Sequence, residues 1–539
     1  MRIYTRKRSA TGCRTCRRRH VKCDEYPGAC RNCTSTGRTC DGYNRCSLPI
    51  GRKSILPRGA ISRVPDPPGF HSAMTSDERM CFIYFQNHTA PSLAGLFGSD
   101  LWDRLALQAC YMEPALYHAA VALGAAHHDT GAKAVPRPIT ALKNSIWHQF
   151  ALEQLGRSFM HLQRRGTSQD PEVFELTVMC CLLFVTLELV LGHYENAWKH
   201  LHGGLQVLRE WETSSTRRMS PPVDNALLTT FVHLEIQASY FGGPVPPRNR
   251  GDASGYLTPG TPEMPIQNIH GARWALDMLT KEIVHFARFC STASPSAADQ
   301  SARERHILSQ LDQCAVGVQR LRRRKFPPID ARERIALDLL QLKQQGLKLT
   351  LGTCYLPVND PRANRYISAC KELVSFAASI LKKSSDFPDL SMDIGVIPPL
   401  FIVAQRCRDM DTRLSAIEAL RHGPYREGPW DSKLLAAVAL QTVKIESVIS
   451  GEKHGFVPCT RGQVERPPSN GFILVSEDRC RARMPYRVGS VDKEWWFSVD
   501  DDDSGSSMPP PGSGHDTCDW IRFLPSHLEY LHPQSHEMQ

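Results

Sequence analysis

CRTCRRRHVKCDEYPGACRNCTSTGRTC, residues 13–40, sets six cysteines in the order C-x2-C-x6-C-x6-C-x2-C-x6-C, at Cys13, Cys16, Cys23, Cys30, Cys33 and Cys40. The unit C-x2-C-x6-C occurs twice, the second copy seventeen residues after the first. A two-residue gap lets both sulfurs of a C-x2-C turn reach one metal ion. Separate tetrahedra for two ions would need eight ligands, so six thiolates satisfy two ions only if two sulfurs bridge. The internal symmetry nominates the first cysteine of each repeat, Cys13 and Cys30. One zinc would then hold Cys13, Cys16, Cys23 and Cys30, and the other Cys30, Cys33, Cys40 and Cys13.

The two halves are unequal. Between Cys16 and Cys23 lie Arg17, Arg18, Arg19, His20, Val21 and Lys22, whereas the matching segment from Thr34 to Thr39 is small and polar apart from Arg38. Either is long enough for one or two helical turns held at one end by a metal-bound turn. Only the first carries enough positive charge to seek phosphates and guanine edges.

The stretch resembles the Zn2Cys6 binuclear cluster of fungal transcription factors, over all six cysteines and the basic run between the second and third. The resemblance implies two Zn2+ ions bridged by Cys13 and Cys30, and a basic helix that enters the major groove of double-stranded DNA and reads a CGG-like triplet. Carried over by position, Arg17, Arg19, His20 and Lys22 are the DNA contacts. His20 departs from the lysine or arginine frequent there in the family, and it donates to guanine mostly as a neutral group near pH 7. Pro27 lies in the connection between the halves, where the family often has a stiffening proline.

Other readings of six cysteines are a disulfide knot, a four-cysteine ribbon with two spare thiols, and a metal-storage patch. The opening residues Met1 to Arg8 contain no apolar secretory segment, which argues against the knot. Storage explains the sulfurs but not the basic run. Cys46 has no symmetric partner and reads as a free thiol. The remaining twelve of the nineteen cysteines are scattered, as small buried apolar residues are in a reducing compartment.

The whole chain, 539 residues with 41% hydrophobic and 22% charged residues, has the composition of a globular protein of two to four units. Its net charge of +10 is uneven: residues 1–60 hold fifteen Lys/Arg against three acids, leaving the remainder close to neutral. The nucleic-acid footprint is therefore confined to the N-terminal region. The most apolar stretch, Val178 to Leu191, reads as too short for a membrane span and is interrupted by Glu188, so a buried helix and no membrane partner are expected.

Outward from the cluster, residues 1–12 read as a basic arm suited to phosphate contacts or nuclear import, or as a solvated tail. Residues 41–75 form a linker broken by Pro49, Pro57, Pro65, Pro67 and Pro68. No apolar heptad follows the cluster, so a homodimer, if formed, would not use a coiled coil there. From Ser76, read as an N-cap with Asp77 and Glu78 in the first turn, the period becomes helical. Helices are expected over roughly 100–110, 113–128, 140–164, 171–191, 195–211, 224–240, 271–291, 300–324, 330–353, 361–383, 396–407, 410–421 and 431–450. With no strand alternation between them, residues 76–455 read as a large all-α domain.

Four segments carry a second, looser resemblance: LYHAAVALGAAH (116–127), YENAWKHLHGGLQVL (194–208), IPPLFIVAQRCRD (397–409) and REGPWDS (426–432). They are similar to the fungal-specific transcription factor domain, in the version common among regulators of secondary-metabolite gene clusters. The resemblance implies a regulatory domain and carries no residue-level role.

Residues 456–539 read as a largely irregular region. Asp492 to Val499 surrounds Trp495, Trp496 and Phe497 with acids, and Asp500 to Asp503 follow. That is the composition of an activation segment that meets a coactivator, or of aromatics packing back with aspartates at the exit. A second small apolar patch, Trp520 to Leu524, carries the same two readings. Phosphate-loop, nucleophile-elbow and HExxH motifs are absent, so no enzyme is expected. His127, His128, His193, His200 and His202 sit on helical faces or helix ends without carboxylates at metal spacing.

The reading is a nuclear, zinc-dependent, sequence-specific regulator of RNA polymerase II genes that meets promoter DNA and the transcription machinery. The alternative is a metal- or redox-responsive cysteine-rich interaction protein that does not read DNA.

Overall fold

Local capping chemistry bounds the helices, and tertiary contacts decide how they stack. The computed structural model describes residues 15–16, 19, 21, 23–24, 30–38, 40, 75–131, 145–165, 171–213, 225–241, 266–292, 295–324, 328–356, 360–383, 388–422, 426–450, 464–465, 474–475, 481–488 and 491–498. The basic arm, linker residues 41–74 with Cys46, the aspartates 500–503 and the patch 520–524 lie outside the described residues.

Within the cysteine-rich stretch a short helix, α1, spans Arg31–Thr34. The helical domain opens with α2 (Ser76–Tyr84). Its cap is Thr75 and not Ser76: the Thr75 hydroxyl accepts the Glu78 N–H at 3.2 Å, and the Glu78 carboxylate accepts the Thr75 N–H at 2.9 Å. This reciprocal arrangement needs an acid three residues after the cap, which Thr75 has and Ser76 lacks. A π turn (Phe85–Thr89) carries the chain into α3 (Ala90–Ala94), and a second (Leu101–Leu105) into α4 (Ala106–Met112).

Helices α5 (Pro114–Gly131), α6 (Ile146–Arg165), α7 (Pro171–Leu191), α8 (Tyr194–Thr213) and α9 (Asn225–Phe241) follow close to the positions read from sequence. Pro171 stands at the first helical position of α7, where its missing N–H costs nothing. Gly192 ends that helix at φ 75°, letting its N–H reach the Leu189 carbonyl at 3.0 Å while the His193 N–H reaches that of Glu188 at 2.8 Å. A first apolar core gathers side chains from α2 through α9. Its centre is α5, whose Ala119, Ala120, Ala122, Ala125 and Ala126 are small enough for neighbours to approach on nearly every side. At Gly124 an added Cβ would lie 2.3 Å from the Cys81 carbonyl oxygen, so only glycine fits this crossing of α2 and α5.

Helix α7 begins earlier than the apolar stretch noticed in the sequence. Val173–Leu191, with mean hydropathy 2.2, is long and apolar enough to cross a membrane by length and composition. In the fold, 72% of that stretch is buried, and α7 packs between α5 and α8. A helix that is apolar all round is a core helix when others surround it.

The second half comprises α10 (Ile269–Thr292), α11 (Ala297–Arg322), α12 (Ala331–Thr353), a 3-10 turn (Pro361–Tyr366), α13 (Ile367–Lys383), α14 (Ile397–Arg406), α15 (Met410–Arg421) and α16 (Ser432–Ser450). Helix α12 belongs to two cores at once. Leu337, Leu340, Leu347 and Leu351 pack with α10 and α11, and Leu339, Leu342 and Leu349 with α13 to α16.

Strands interrupt the helical array where none was expected. β1 (Leu390–Ser391), β2 (Arg426–Glu427) and β3 (Trp430–Asp431) form a small sheet, β1 parallel to β2 and β2 antiparallel to β3. Two-residue strands are below the length at which alternation can be read. Gly428, at φ 56°, makes the tight turn between β2 and β3. The Glu427 carboxylate accepts the backbone N–H groups of Gly395, Val396 and Ile397 at 2.9, 2.8 and 3.0 Å, and so caps α14 from 30 residues away in sequence.

A second sheet lies in the region read as irregular. β4 (Val464–Glu465) and β5 (Leu474–Val475) flank β6 (Arg481–Val488), which also pairs antiparallel with β7 (Val491–Ser498). Val488 pairs with Val491 at the end of this ladder. The Trp495-Trp496-Phe497 run thus belongs to a strand; aromatic residues suit a pleated surface, and the reading by acidic composition overlooked this.

Candidate metal centre and nucleic-acid interface

The cysteine stretch folds around its sulfurs. In the first half the Arg19 N–H bonds the Thr15 carbonyl and the Val21 N–H that of Cys16, each at 3.1 Å. In the second half Cys30 caps α1, and the N–H groups of Cys33 and Thr34 return to its carbonyl at 3.0 and 3.1 Å. Gly37, at φ 66°, lets the chain turn back, and the Arg38 N–H reaches the Cys33 carbonyl at 3.0 Å.

These turns bring five of the six cysteines together. Cys16, Cys23, Cys30 and Cys33 are buried, and Cys40 is half-buried. Their sulfurs fall into two sets, Cys16 with Cys23 and Cys30, and Cys30 with Cys33 and Cys40. Within each set the ligand atoms lie within 4.8 Å of one another. Cys30 is common to both. Its sulfur is 3.5 Å from that of Cys16, which is also 3.8 Å from that of Cys33. Thiolates about 2.3 Å from one tetrahedral ion sit roughly 3.8 Å apart, so the donor set and its spacing fit zinc. Cys13, the other nominated bridge, lies outside the described residues, as do Arg17, His20 and Lys22.

Two side chains tie the halves together. The Asp24 carboxylate accepts the N–H of Arg31 at 2.9 Å and that of Asn32 at 3.5 Å, at the start of α1. From the opposite direction, Arg19 Nη1 donates to the Asn32 carbonyl at 3.2 Å and lies 3.5 Å from the Thr36 hydroxyl. Arg19 was singled out in the sequence only for DNA, and Asp24 was passed over. An acid beside the third cysteine, in an otherwise basic half, was the available signal. Of the five N–H donors on a guanidinium, this bracing uses those on one nitrogen.

Elsewhere, two of the histidines make single carboxylate contacts that form no metal-ligand group among the described residues. His127 and His193 do have carboxylate partners: His127 Nε2 is 3.1 Å from Asp389, and His193 Nδ1 is 2.8 Å from Glu188. Asp389 is too distant in sequence for any local pattern to have linked it. His128 packs edge-on to Trp147, and His200 against Phe159 and Phe184, while His202 is exposed. Among the described residues, the groupings of ligand atoms suited to a metal ion are the two cysteine sets.

Comparison with known proteins adds an independent line. The fungal specific transcription factor domain matches residues 80–421, and the fungal Zn(2)-Cys(6) binuclear cluster domain matches residues 11–48. The chain is similar to the aspercryptin biosynthesis cluster-specific transcription regulator atnN of Emericella nidulans, at 22% identity over 82% of this chain and 88% of that protein. It is also similar to the transcription regulator lscL of Purpureocillium lilacinum, at 26% identity over 39% of this chain and 49% of that one. The transcriptional regulatory protein moc3 of Schizosaccharomyces pombe is 44% identical over 13% of this chain and 12% of its own length. No solved structure matches the chain.

Proposed function

The chain belongs to the fungal-specific transcription factor family, and from that premise we propose that it is a sequence-specific activator of a secondary-metabolite biosynthetic gene cluster. The family assignment carries DNA binding, a cluster domain that holds two zinc ions, and nuclear function; it is a family of transcription factors and not of enzymes. The finer reading draws on the relative named for the aspercryptin biosynthesis cluster, aligned along 88% of its length.

The observation that carries the mechanism is the sharing of Cys30 between two sets of sulfurs. Cys13, Cys16, Cys23, Cys30, Cys33 and Cys40 would hold the two ions, with Cys13 and Cys30 each serving both. Zinc supplies the folding free energy that so short a segment cannot obtain from apolar burial. The basic helix then presents Arg17, Arg19, His20 and Lys22 to a CGG-like triplet, and the arm and linker follow the phosphate backbone. Arg19 holds the second half with one nitrogen and offers the remaining donors to DNA, so rigidity and contact meet in one side chain. The helical domain relays binding to the transcription machinery through coactivators. Any homodimer forms without a coiled coil after the cluster.

A gel shift with CGG-containing duplexes at physiological salt tests this reading. Full-length protein should bind, and Arg19→Ala with Lys22→Ala should abolish the shift. Full binding retained by that double variant would count against this reading, and no shift with the parent protein would leave a metal- or redox-responsive protein that does not read DNA.

A further inference from the structure

Helix α11 buries one side and leaves the other uncovered among the described residues. Ile307, Leu311, Cys314, Val318 and Leu321 face the core. Opposite them runs Arg305, Leu308, Asp312, Val316, Arg320 and Arg323, spaced three or four residues apart and all exposed. Such spacing makes a continuous stripe, about 27 Å long at 1.5 Å per residue.

The composition of the stripe is specific. Leu308 and Val316 expose 38% and 46% of their surface in its middle, and arginines stand at both ends. Asp312 between them is neutralised by an ion pair with Lys348. Arg305 donates to the Ser301 carbonyl of its own helix at 3.2 Å and so keeps its charge for a partner. By contrast, Arg322 and Arg324, beside the stripe, are held by Asp338 and Glu333.

We propose that this face of α11 is a docking surface for an acidic amphipathic segment of another protein. Apolar anchors on that segment would seat over Leu308 and Val316, and its carboxylates would meet Arg305 at one end and Arg320 with Arg323 at the other. Charge complementarity selects this occupant. A second copy of the helix, laid antiparallel, would set Arg305 against Arg323 and Leu308 against Arg320; laid parallel, it would set each arginine against itself. Like charges so placed repel. Duplex DNA would bring phosphates onto two apolar side chains and Asp312, which offer it nothing.

The test uses full-length protein and a short fluorescein-labelled peptide in which Asp and Glu alternate with Leu and Phe. Anisotropy should report binding that weakens with added salt. Arg320→Glu combined with Arg323→Glu should weaken it about tenfold or more, and Leu308→Ser with Val316→Ser by a similar factor. Arg320→Lys should retain most of it. Circular dichroism and the CGG gel shift should not change, because these side chains are exposed and outside the cluster. Peptide affinity that is undetectable, or equal in all variants, overturns the proposal. Two other results also overturn it: loss of non-specific duplex binding with peptide affinity intact, which makes the stripe a phosphate contact, and dissociation of a dimer in sedimentation, which makes it a self-interface.

Discussion

His127 and Asp389, 262 positions apart, meet with Nε2 3.1 Å from the carboxylate oxygen. The other ring nitrogen of His127 lies 3.0 Å from the Thr89 hydroxyl. One buried imidazole on α5 therefore holds both the π turn after α2 and the residue that leads into the small sheet. The first core and the sheet that caps α14 are joined through it.

If that link stabilises the domain, His127→Ala and Asp389→Ala should each lower stability by about 1–3 kcal/mol, since either leaves a buried or half-buried polar partner unsatisfied. Their double variant should cost less than the sum, with a coupling of about 1 kcal/mol. A double-mutant cycle in urea measures this. Strict additivity would show that the two residues do not cooperate.

Cys30 serves both sulfur sets, whereas Cys23 and Cys40 serve one each. Cys30→Ser should thus lower bound zinc from two ions per chain toward none and remove CGG binding. Cys40→Ser should leave more metal than Cys30→Ser does. Zinc content by atomic absorption, read beside the gel shift, distinguishes these outcomes. Equal metal loss in both variants would argue against a shared thiolate.

Gly124 faces the backbone of Cys81, which cannot move aside as a side chain could. Gly124→Ala should destabilise the helical domain by about 2–3 kcal/mol, despite alanine being the better helix former by roughly 1 kcal/mol. Chemical denaturation provides the comparison. An unchanged or raised midpoint would mean that α2 and α5 do not cross this closely.

Two buried carboxyls give the domain a pH dependence. Burial pushes Glu427 from the ordinary 4.5 up to about 7, against the three N–H bonds it accepts, and nearby Asp393 adds to the rise. Burial, with Glu78 alongside, likewise pushes Asp77 from 3.8 to about 7. At these two groups the native state holds more protons than the unfolded chain, so their contribution to stability falls as pH rises and levels off above pH 7. Each group contributes on the order of 3–4 kcal/mol to the whole difference. Burial also lowers the pKa of His118, His128, His200 and His233, which adds stability as pH rises, so the readout is a difference: between pH 5.5 and 7.5 the unfolding midpoint of Asp77→Asn with Glu427→Gln should gain on that of the parent.

The cysteine spacing by itself determined the metal chemistry, because C-x2-C geometry acts within a few residues. Apolar periodicity likewise placed most helices to within a few residues, since one face of a helix is written along a continuous stretch of chain. Tertiary structure alone decided the rest. Asp24 braces α1, Glu427 caps α14, His127 finds Asp389, and α12 divides its leucines between two cores, each through partners brought together only when the chain closes on itself. The short strands escaped for a related reason. Two residues carry no period, and their pairing lies in hydrogen bonds to a distant backbone, where side-chain identity leaves no mark.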